Sequence, residues 1–130
     1  MANNLQLVSQ AEQEQSPRED YVAYQTAARR QRKMIFYDGN LHLIGMPSYS
    51  YYVDAYSSND GNLWLTFSMT VYRIKGRHIT RELLPLLQDD RVKSLYCYNP
   101  LRHNDVDDDA MVIEAITRHT VQELMSVRDE

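Results

Sequence analysis

A strict alternation of side-chain types runs from residue 63 to residue 74 and is the clearest pattern in the 130-residue chain. Apolar residues alternate with aromatic and hydroxyl residues: Leu63, Leu65, Phe67, Met69 and Val71 form the first set, and Trp64, Thr66, Ser68, Thr70 and Tyr72 form the second. Because successive side chains of a strand point to opposite faces, a period of two is typical of a strand with one buried face. We therefore predict a strand over residues 63–74, with the first set in the core.

Three other segments also have strand patterns. Residues 33–45 read KMIFY-DG-NLHLIG and predict a hairpin, because Asp-Gly favours a tight turn between apolar runs. Residues 49–56 alternate as well, and the turn-forming sequence SSNDGN separates them from the long strand. Residues 91–98 carry the last of these patterns, so the chain is predicted to be rich in strands.

Three segments predict helices. The first begins at a capping box formed by Ser16 and Glu19 and continues to residue 32. The second is a short helix around Pro85, which lacks a backbone donor. The third opens with the acidic residues of segment 105–109, which suit the positive end of a helix dipole. Side chains at helical spacing then follow: Ile113, Ile116, Thr120 and Leu124.

The order of these elements indicates the α+β class. Consecutive strands joined by short turns favour an antiparallel sheet, which we predict to have four to five strands. Helices are expected mainly on one face of that sheet, as a two-layer sandwich. Residues 1–15 are polar and predict a flexible N-terminal arm, and residues 16–130 predict a single α+β domain.

The cysteine and charge content narrow the expected surroundings of the protein. Cys97 is the only cysteine, so a reducing, cytoplasmic environment in a bacterium or a virus is expected. No stretch reaches the roughly 18 apolar residues that a membrane span needs, so no membrane partner is predicted. The net charge of −4 argues against a protein whose whole surface binds nucleic acid.

The aromatic residues of the predicted sheet suggest an interaction surface. The chain has ten tyrosines and one tryptophan, and four of these residues are expected on the side of the strands that faces away from the aliphatic core: Tyr52, Tyr56, Trp64 and Tyr72. Tyrosine and tryptophan suit interfaces because each has an apolar body and a polar group. We predict that this face contacts a partner, most simply a second copy of the chain.

A basic run beside the first predicted helix offers an alternative function. The run contains Arg29, Arg30, Arg32 and Lys33, and clustered cations near tyrosines can hold phosphates and stack bases. A solvated helix end accounts for the same residues. Any nucleic-acid binding is therefore expected to be weak and sensitive to salt.

An acidic cluster offers a second alternative, a small metal-dependent hydrolase. Segment 105–109 contains four aspartates, with His103 before it and Glu114 after it. On a helix, consecutive side chains diverge by about 100° each, so these carboxylates cannot all face one ion. The predicted role is therefore to cap the last helix, with no metal site.

No enzyme motif stands out in the chain. Cys97 lies in a predicted strand, where a cysteine usually behaves as a small buried hydrophobic residue. The sequence therefore favours a non-enzymatic interaction or regulatory module that associates with itself and binds an unknown protein partner. No catalytic residue and no cofactor are predicted.

Overall fold

The computed structural model describes residues 17–129, and the predicted arm over residues 1–15 lies outside them. The described residues form eight strands, two α-helices and one short 3-10 helix. Their bounds are β1 (Tyr24–Thr26), β2 (Ile35–Tyr37), β3 (Leu43–Gly45), the 3-10 helix (Tyr49–Tyr51), β4 (Tyr52–Ser57), β5 (Leu63–Phe67), β6 (Thr70–Arg77), α1 (Ile79–Leu87), β7 (Val92–Tyr96), β8 (Val112–Thr120) and α2 (Val121–Asp129). Within residues 17–129, neither helix combines the length and the apolar character that crossing a membrane requires.

The strands form two sheets of four, so the predicted single sheet of four to five strands is wrong. The first sheet has the order β1-β7-β2-β3 and the second has the order β4-β5-β6-β8. All neighbouring strands are antiparallel except β2 and β7, which are parallel. The described structure is mostly sheet with two helices, which agrees with the α+β class in broad terms.

Side chains from both sheets meet in one hydrophobic core. Phe36 of β2 contacts Tyr72 of β6, with ring centroids 4.5 Å apart, and lies 6.4 Å from the ring of Phe67 in β5. The core also contains one side of α1, through three side chains that are almost fully buried: Ile79, Leu83 and Leu87. The predicted short helix around Pro85 is thereby confirmed.

The alternating segment 63–74 is two strands and not one. A two-residue turn at Ser68 and Met69 separates β5 from β6, and Ser68 adopts a positive φ of 53°. The turn reverses the phase of the pattern, because Leu65 now lies opposite Tyr72 on the same face. Met69 is consequently exposed at the turn, whereas Tyr72 is buried.

The predicted first helix over residues 16–32 is wrong within the described residues. Residues 24–26 form β1 at the edge of β7, and the neighbouring residues are irregular. The hydroxyl of Tyr21 donates to the carbonyl of Tyr96 (2.5 Å) and accepts from the amide of Ile113 (3.1 Å). These tertiary contacts, with the burial of Ala23, outweigh a capping box, whose cap is worth about 1 kcal/mol.

The predicted last helix is also largely wrong, because residues 112–120 form strand β8. Ile113 pairs with Gly76 and Ala115 pairs with Lys75, so Glu114 is an extra residue in a β-bulge. The bulge shifts the phase of the strand and brings Ile113 and Ile116 to the same core at a spacing that is typical of a helix. A helix begins only at Val121, so segment 105–109 does not cap it.

Candidate binding cleft

The four predicted aromatic interface residues do not share one surface. Tyr56 and Trp64 are cross-strand neighbours whose rings are stacked, with centroids 6.1 Å apart. The guanidinium of Arg73 lies 5.6 Å from the centre of the Trp64 ring, within the range of a cation–π contact. Tyr56 is 42% exposed, so these three side chains form an aromatic row on the outer face of the second sheet.

Tyr52 and Tyr72 lie on the core side of the same sheet. Tyr72 is only 3% exposed, and Tyr52 packs against Phe67 with ring centroids 5.4 Å apart. The expectation that Tyr72 faces away from the core beside Trp64 is therefore wrong, because the turn after β5 reverses the phase of the alternation. Whether any of the four residues contacts a partner stays a prediction.

Tyr72 also lines a cleft of about 450 Å³ at one end of the core. One wall is the segment after β3, which contains Met46 and Ser48. The opposite wall is the β5–β6 turn with Met69, and Arg118 of β8 lies beside it. Three segments of the chain therefore build this concave site: residues 46–51, which include Tyr51 of the 3-10 helix, residues 67–72, and Arg118.

The rim of the cleft carries three exposed apolar side chains beside hydroxyl residues such as Ser48 and Ser68. Met46, Tyr51 and Met69 are 45%, 62% and 63% exposed, and all three line the cleft. Exposed apolar side chains that cluster around a concavity mark binding surfaces more often than isolated ones do. The two methionines add flexible side chains that can adapt to a bound group.

A positive charge stands beside the buried tyrosine. Arg118 lies directly opposite Tyr72 on the neighbouring strand, and it forms no ion pair with any side chain of residues 17–126. Burial raises the pKa of the Tyr72 hydroxyl, and the Arg118 charge opposes that rise. At neutral pH the cleft thus offers a hydroxyl donor and a guanidinium beside apolar walls.

A second cavity of about 510 Å³ borders the same 3-10 helix, through Tyr49 and Ser50. Ser48 lines both cavities, so only the short segment around this helix separates them. Arg30, Arg32 and Asp90 line the second cavity. The amide of Tyr49 donates to the carbonyl of Arg32 (2.9 Å), which holds the basic loop against the 3-10 helix.

The predicted basic run lies in the loop between β1 and β2 and not at a helix end. Its four side chains are exposed: Arg29, Arg30, Arg32 and Lys33. Only the second and third of them line the second cavity. The structure thus divides the run into two cations at a cavity and two elsewhere on the loop.

The acidic segment 105–109 is a loop whose backbone is bound by cations from β6 and α1. Arg77 donates to the carbonyls of Val106 (3.2 Å), Asp107 (2.8 Å) and Ala110 (3.3 Å). Arg81 donates to the carbonyl of Asp109 (2.6 Å). The cations therefore bind mainly the loop backbone, and two ion pairs of this loop, Arg77–Asp108 and Arg18–Asp105, are long at 3.9 Å and involve aspartates that stay exposed.

Metal-ligating residues do not gather around this loop. Among residues 17–129, no group of three or more His, Cys, Asp and Glu side chains is placed to hold a metal ion. His103 is instead buried next to Tyr98, with ring centroids 5.6 Å apart. Its Nδ1 accepts the amide of Asn99 (3.0 Å), so this histidine has a structural environment.

Cys97 is buried, as predicted. Burial raises the pKa of its thiol to about 11, which keeps the sulfur protonated at neutral pH. Because the thiolate is the reactive form of cysteine, this residue is not an activated nucleophile.

Sequence reasoning missed the cleft. Its residues come from separate segments, and its central side chains, Tyr72 and Arg118, become neighbours only through the pairing of β6 with β8. The sequence carried no signal for the turn at the cleft, because Ser68 and Met69 continue the alternation of residues 63–74. Comparison of the chain with protein-family models, with curated proteins and with solved structures finds no match.

Proposed function

We propose that this protein is a non-enzymatic interaction module that binds a segment of a partner protein in the cleft. The observation that carries this proposal is that Arg118 lies beside exposed apolar side chains of the rim and forms no ion pair with any side chain of residues 17–126. The rim residues Met46 and Met69 supply area for burial, and the guanidinium supplies a directional polar contact.

The cleft suits binding better than chemistry. Among residues 17–126, no carboxylate, histidine or cysteine lines it, and these are the side chains that most often act as general acid or base. A side chain of the size of leucine or phenylalanine, inserted from a partner, would contact Phe67 and Tyr72 at the floor. Such an anchor in a preformed pocket is the usual centre of a binding interface.

Self-association is a further part of the proposal. The aromatic row of Tyr56, Trp64 and Arg73 retains two of the four predicted interface residues, and it lies on the outer face of the second sheet. We propose a homodimer formed through this row. The cleft contains none of these three residues, so it stays available to another partner. The cytoplasmic location expected from the single cysteine belongs to the same proposal.

Selection of peptides from a displayed random library tests the cleft as a protein-binding site. We expect wild-type protein to enrich peptides that lose binding when Met69→Glu places a charge on the rim. Leu101→Glu is the matched control, because Leu101 is also an exposed apolar residue and does not line the cleft. Peptides that bind both variants equally well, or no enrichment at all, would contradict the proposal.

Nucleic-acid binding through Arg29, Arg30, Arg32 and Lys33 is the second candidate function. The full exposure of these cations in one loop favours it. The net charge of −4 opposes it, because a negative surface repels phosphates outside the local patch. We therefore rank it below binding of a protein segment.

A further inference from the structure

We infer that the partner segment is an extended acidic peptide with one apolar anchor residue. This inference rests on the proposed function and names the chemistry of the ligand for the same site. The anchor fills the cleft beside Tyr72, and acidic side chains extend over the 3-10 helix toward Arg30 and Arg32.

The two cavities are close enough for one short peptide to occupy both. Ser48 lines each of them, and the 3-10 helix between them has three residues. With a rise of about 2.0 Å per residue, this helix is about 6 Å long. An extended chain covers about 3.3 Å per residue, so an acidic side chain about two to four residues from the anchor reaches the second cavity.

The charges along this path are mainly positive. Arg118 lines the first cavity, and no carboxylate of residues 17–126 lines it with Arg118. Arg30 and Arg32 line the second cavity, where Asp90 is the one carboxylate. The path therefore carries an excess of two positive charges on a chain whose net charge is −4, and such a local reversal of sign selects an anionic ligand.

A peptide fits the first cavity better than a nucleic acid does. Its rim residues Met46 and Met69 are thioethers, and its floor contains Phe67 and Tyr72. The thioethers favour an inserted aliphatic side chain such as leucine, which a nucleic acid does not carry. The exposed cations Arg29 and Lys33, which nucleic acid would also use, line neither cavity.

Fluorescence anisotropy with three labelled synthetic peptides tests the ligand chemistry on the full chain. The first peptide has a central leucine flanked by three glutamates on each side. The second has glutamine in place of every glutamate, and the third has alanine in place of leucine. We expect the first peptide to bind at least about tenfold more tightly than either of the others, since each lacks one of the two recognised features.

Two matched double variants test whether the cavity or the whole basic loop recognises the charge. Arg30→Ala with Arg32→Ala removes two cations from the second cavity, and Arg29→Ala with Lys33→Ala removes two cations from the same loop. We expect the first pair to weaken binding of the acidic peptide about five- to tenfold, and the second pair about twofold or less.

Arg118→Ala tests the cleft itself. Because Arg118 stands beside the anchor, we expect this variant to weaken binding of the acidic peptide about tenfold. It should change binding of the glutamine peptide by less than about twofold. Far-ultraviolet circular dichroism and melting curves are expected to match wild type for all of these variants, since every substituted side chain is exposed.

The outcomes separate this inference from the proposed function. Equal binding of the glutamate and glutamine peptides, with loss of the alanine peptide, would overturn the acidic preference and leave the binding module intact. No binding of any peptide here or in the library selection would overturn both. Tighter binding of a labelled 20-nucleotide single strand, weakened equally by the two double variants, would replace the inference with nucleic-acid recognition.

Discussion

At the scale of single residues, the position of Tyr72 depends on the lack of a side chain at Gly45. A Cβ atom at this position would lie 2.8 Å from Cε1 and Cζ of the Tyr72 ring, which is far inside normal contact distance. Gly45 is buried on β3, so the sheet cannot easily move away. The glycine therefore lets the ring of Tyr72 reach the floor of the cleft.

Gly45→Ala is expected to lower the free energy of unfolding by about 1–3 kcal/mol, because it overpacks a buried site. It should also weaken peptide binding, since the Tyr72 ring must shift. Urea denaturation of wild type, Gly45→Ala, Tyr72→Phe and the double variant forms a cycle that isolates the part of the clash due to the Tyr72 hydroxyl, the atom nearest to the added Cβ. Strictly additive losses would show that the two residues do not interact.

Cys97 gives the fold a dependence on alkaline pH. Burial raises the pKa of its thiol from 9.0 to about 11, so the folded chain binds this proton more tightly than the unfolded chain does. The resulting contribution to stability is complete below pH 9 and is lost as the pH rises toward 11. Thiol burial thus favours folding most strongly at neutral pH.

The free energy of unfolding is expected to fall less between about pH 8.5 and about pH 10.5 in Cys97→Ala than in wild type. This window covers the rise of the thiol pKa from 9.0 to about 11. Urea denaturation midpoints of both proteins at several pH values measure the effect. The tyrosines titrate in both proteins, so the comparison cancels their contribution. Identical pH profiles would mean that the thiol has the same pKa in the folded and unfolded chains.

At the scale of elements, Arg77 joins β6 to the loop before β8. Its guanidinium donates to three backbone carbonyls of this loop, those of Val106, Asp107 and Ala110. These contacts order a segment that has no regular secondary structure of its own. The start of β8 is therefore positioned by a side chain from its neighbouring strand.

Arg77→Ala is expected to lower the free energy of unfolding by about 2–4 kcal/mol, because three hydrogen bonds from a charged donor are lost. Arg81→Ala is the control, since its exposed side chain reaches one loop carbonyl, and a loss below about 1 kcal/mol is expected. Thermal unfolding measures both. Hydrogen exchange of residues 105–110 should speed up in the first variant alone; equal exchange would refute the ordering role.

Local patterns predicted the local elements well. The hairpin of β2 and β3, the turn between β4 and β5, helix α1 and strand β7 all lie where the sequence places them. The two wrong helices failed for long-range reasons: β1 pairs with β7, and the bulge at Glu114 gives β8 a helical spacing. The cleft was not predicted for the same reason, because Arg118 and Tyr72 are distant in sequence.

At the scale of the whole molecule, the aromatic row leaves an apolar surface that a second copy can cover. Trp64 is half-buried and Tyr56 is exposed, and Arg73 completes the row through its contact with the indole. Tryptophan, tyrosine and arginine are the residue types that most often dominate binding energy at interfaces. The row is therefore the surface on which we expect self-association.

Light scattering at micromolar concentration is expected to give twice the mass of one chain. Trp64→Ala with Tyr56→Ala should shift the protein to the monomer, because loss of a central aromatic residue costs about 2 kcal/mol or more. Tyr51→Ala is the control, since Tyr51 is an exposed tyrosine at the cleft. A monomeric mass that persists as the concentration rises would contradict the prediction.

Binding to single- and double-stranded DNA is expected to be weak and to disappear as salt is raised. The four cations Arg29, Arg30, Arg32 and Lys33 limit the number of phosphates that can be neutralised, so the logarithmic salt slope should be about 4 or less in magnitude. Gel-shift or anisotropy measurements at salt concentrations from about 20 mM to about 200 mM check this prediction, because phosphate contacts weaken over that range. A steep slope that survives alanine at all four positions would show that another surface binds DNA.

The central position of β7 in the first sheet has a consequence for folding. Its two partners, β1 and β2, precede it by about 70 and 60 positions in sequence. During synthesis these two strands leave the ribosome long before the strand that joins them, whereas β4, β5 and β6 pair with near neighbours. We expect β4, β5 and β6 to pair first, whereas the first sheet closes late and β8 joins the second sheet last, because long-range pairing is slow. A chain arrested before residue 92 would therefore expose the edges of β1 and β2 to chaperones.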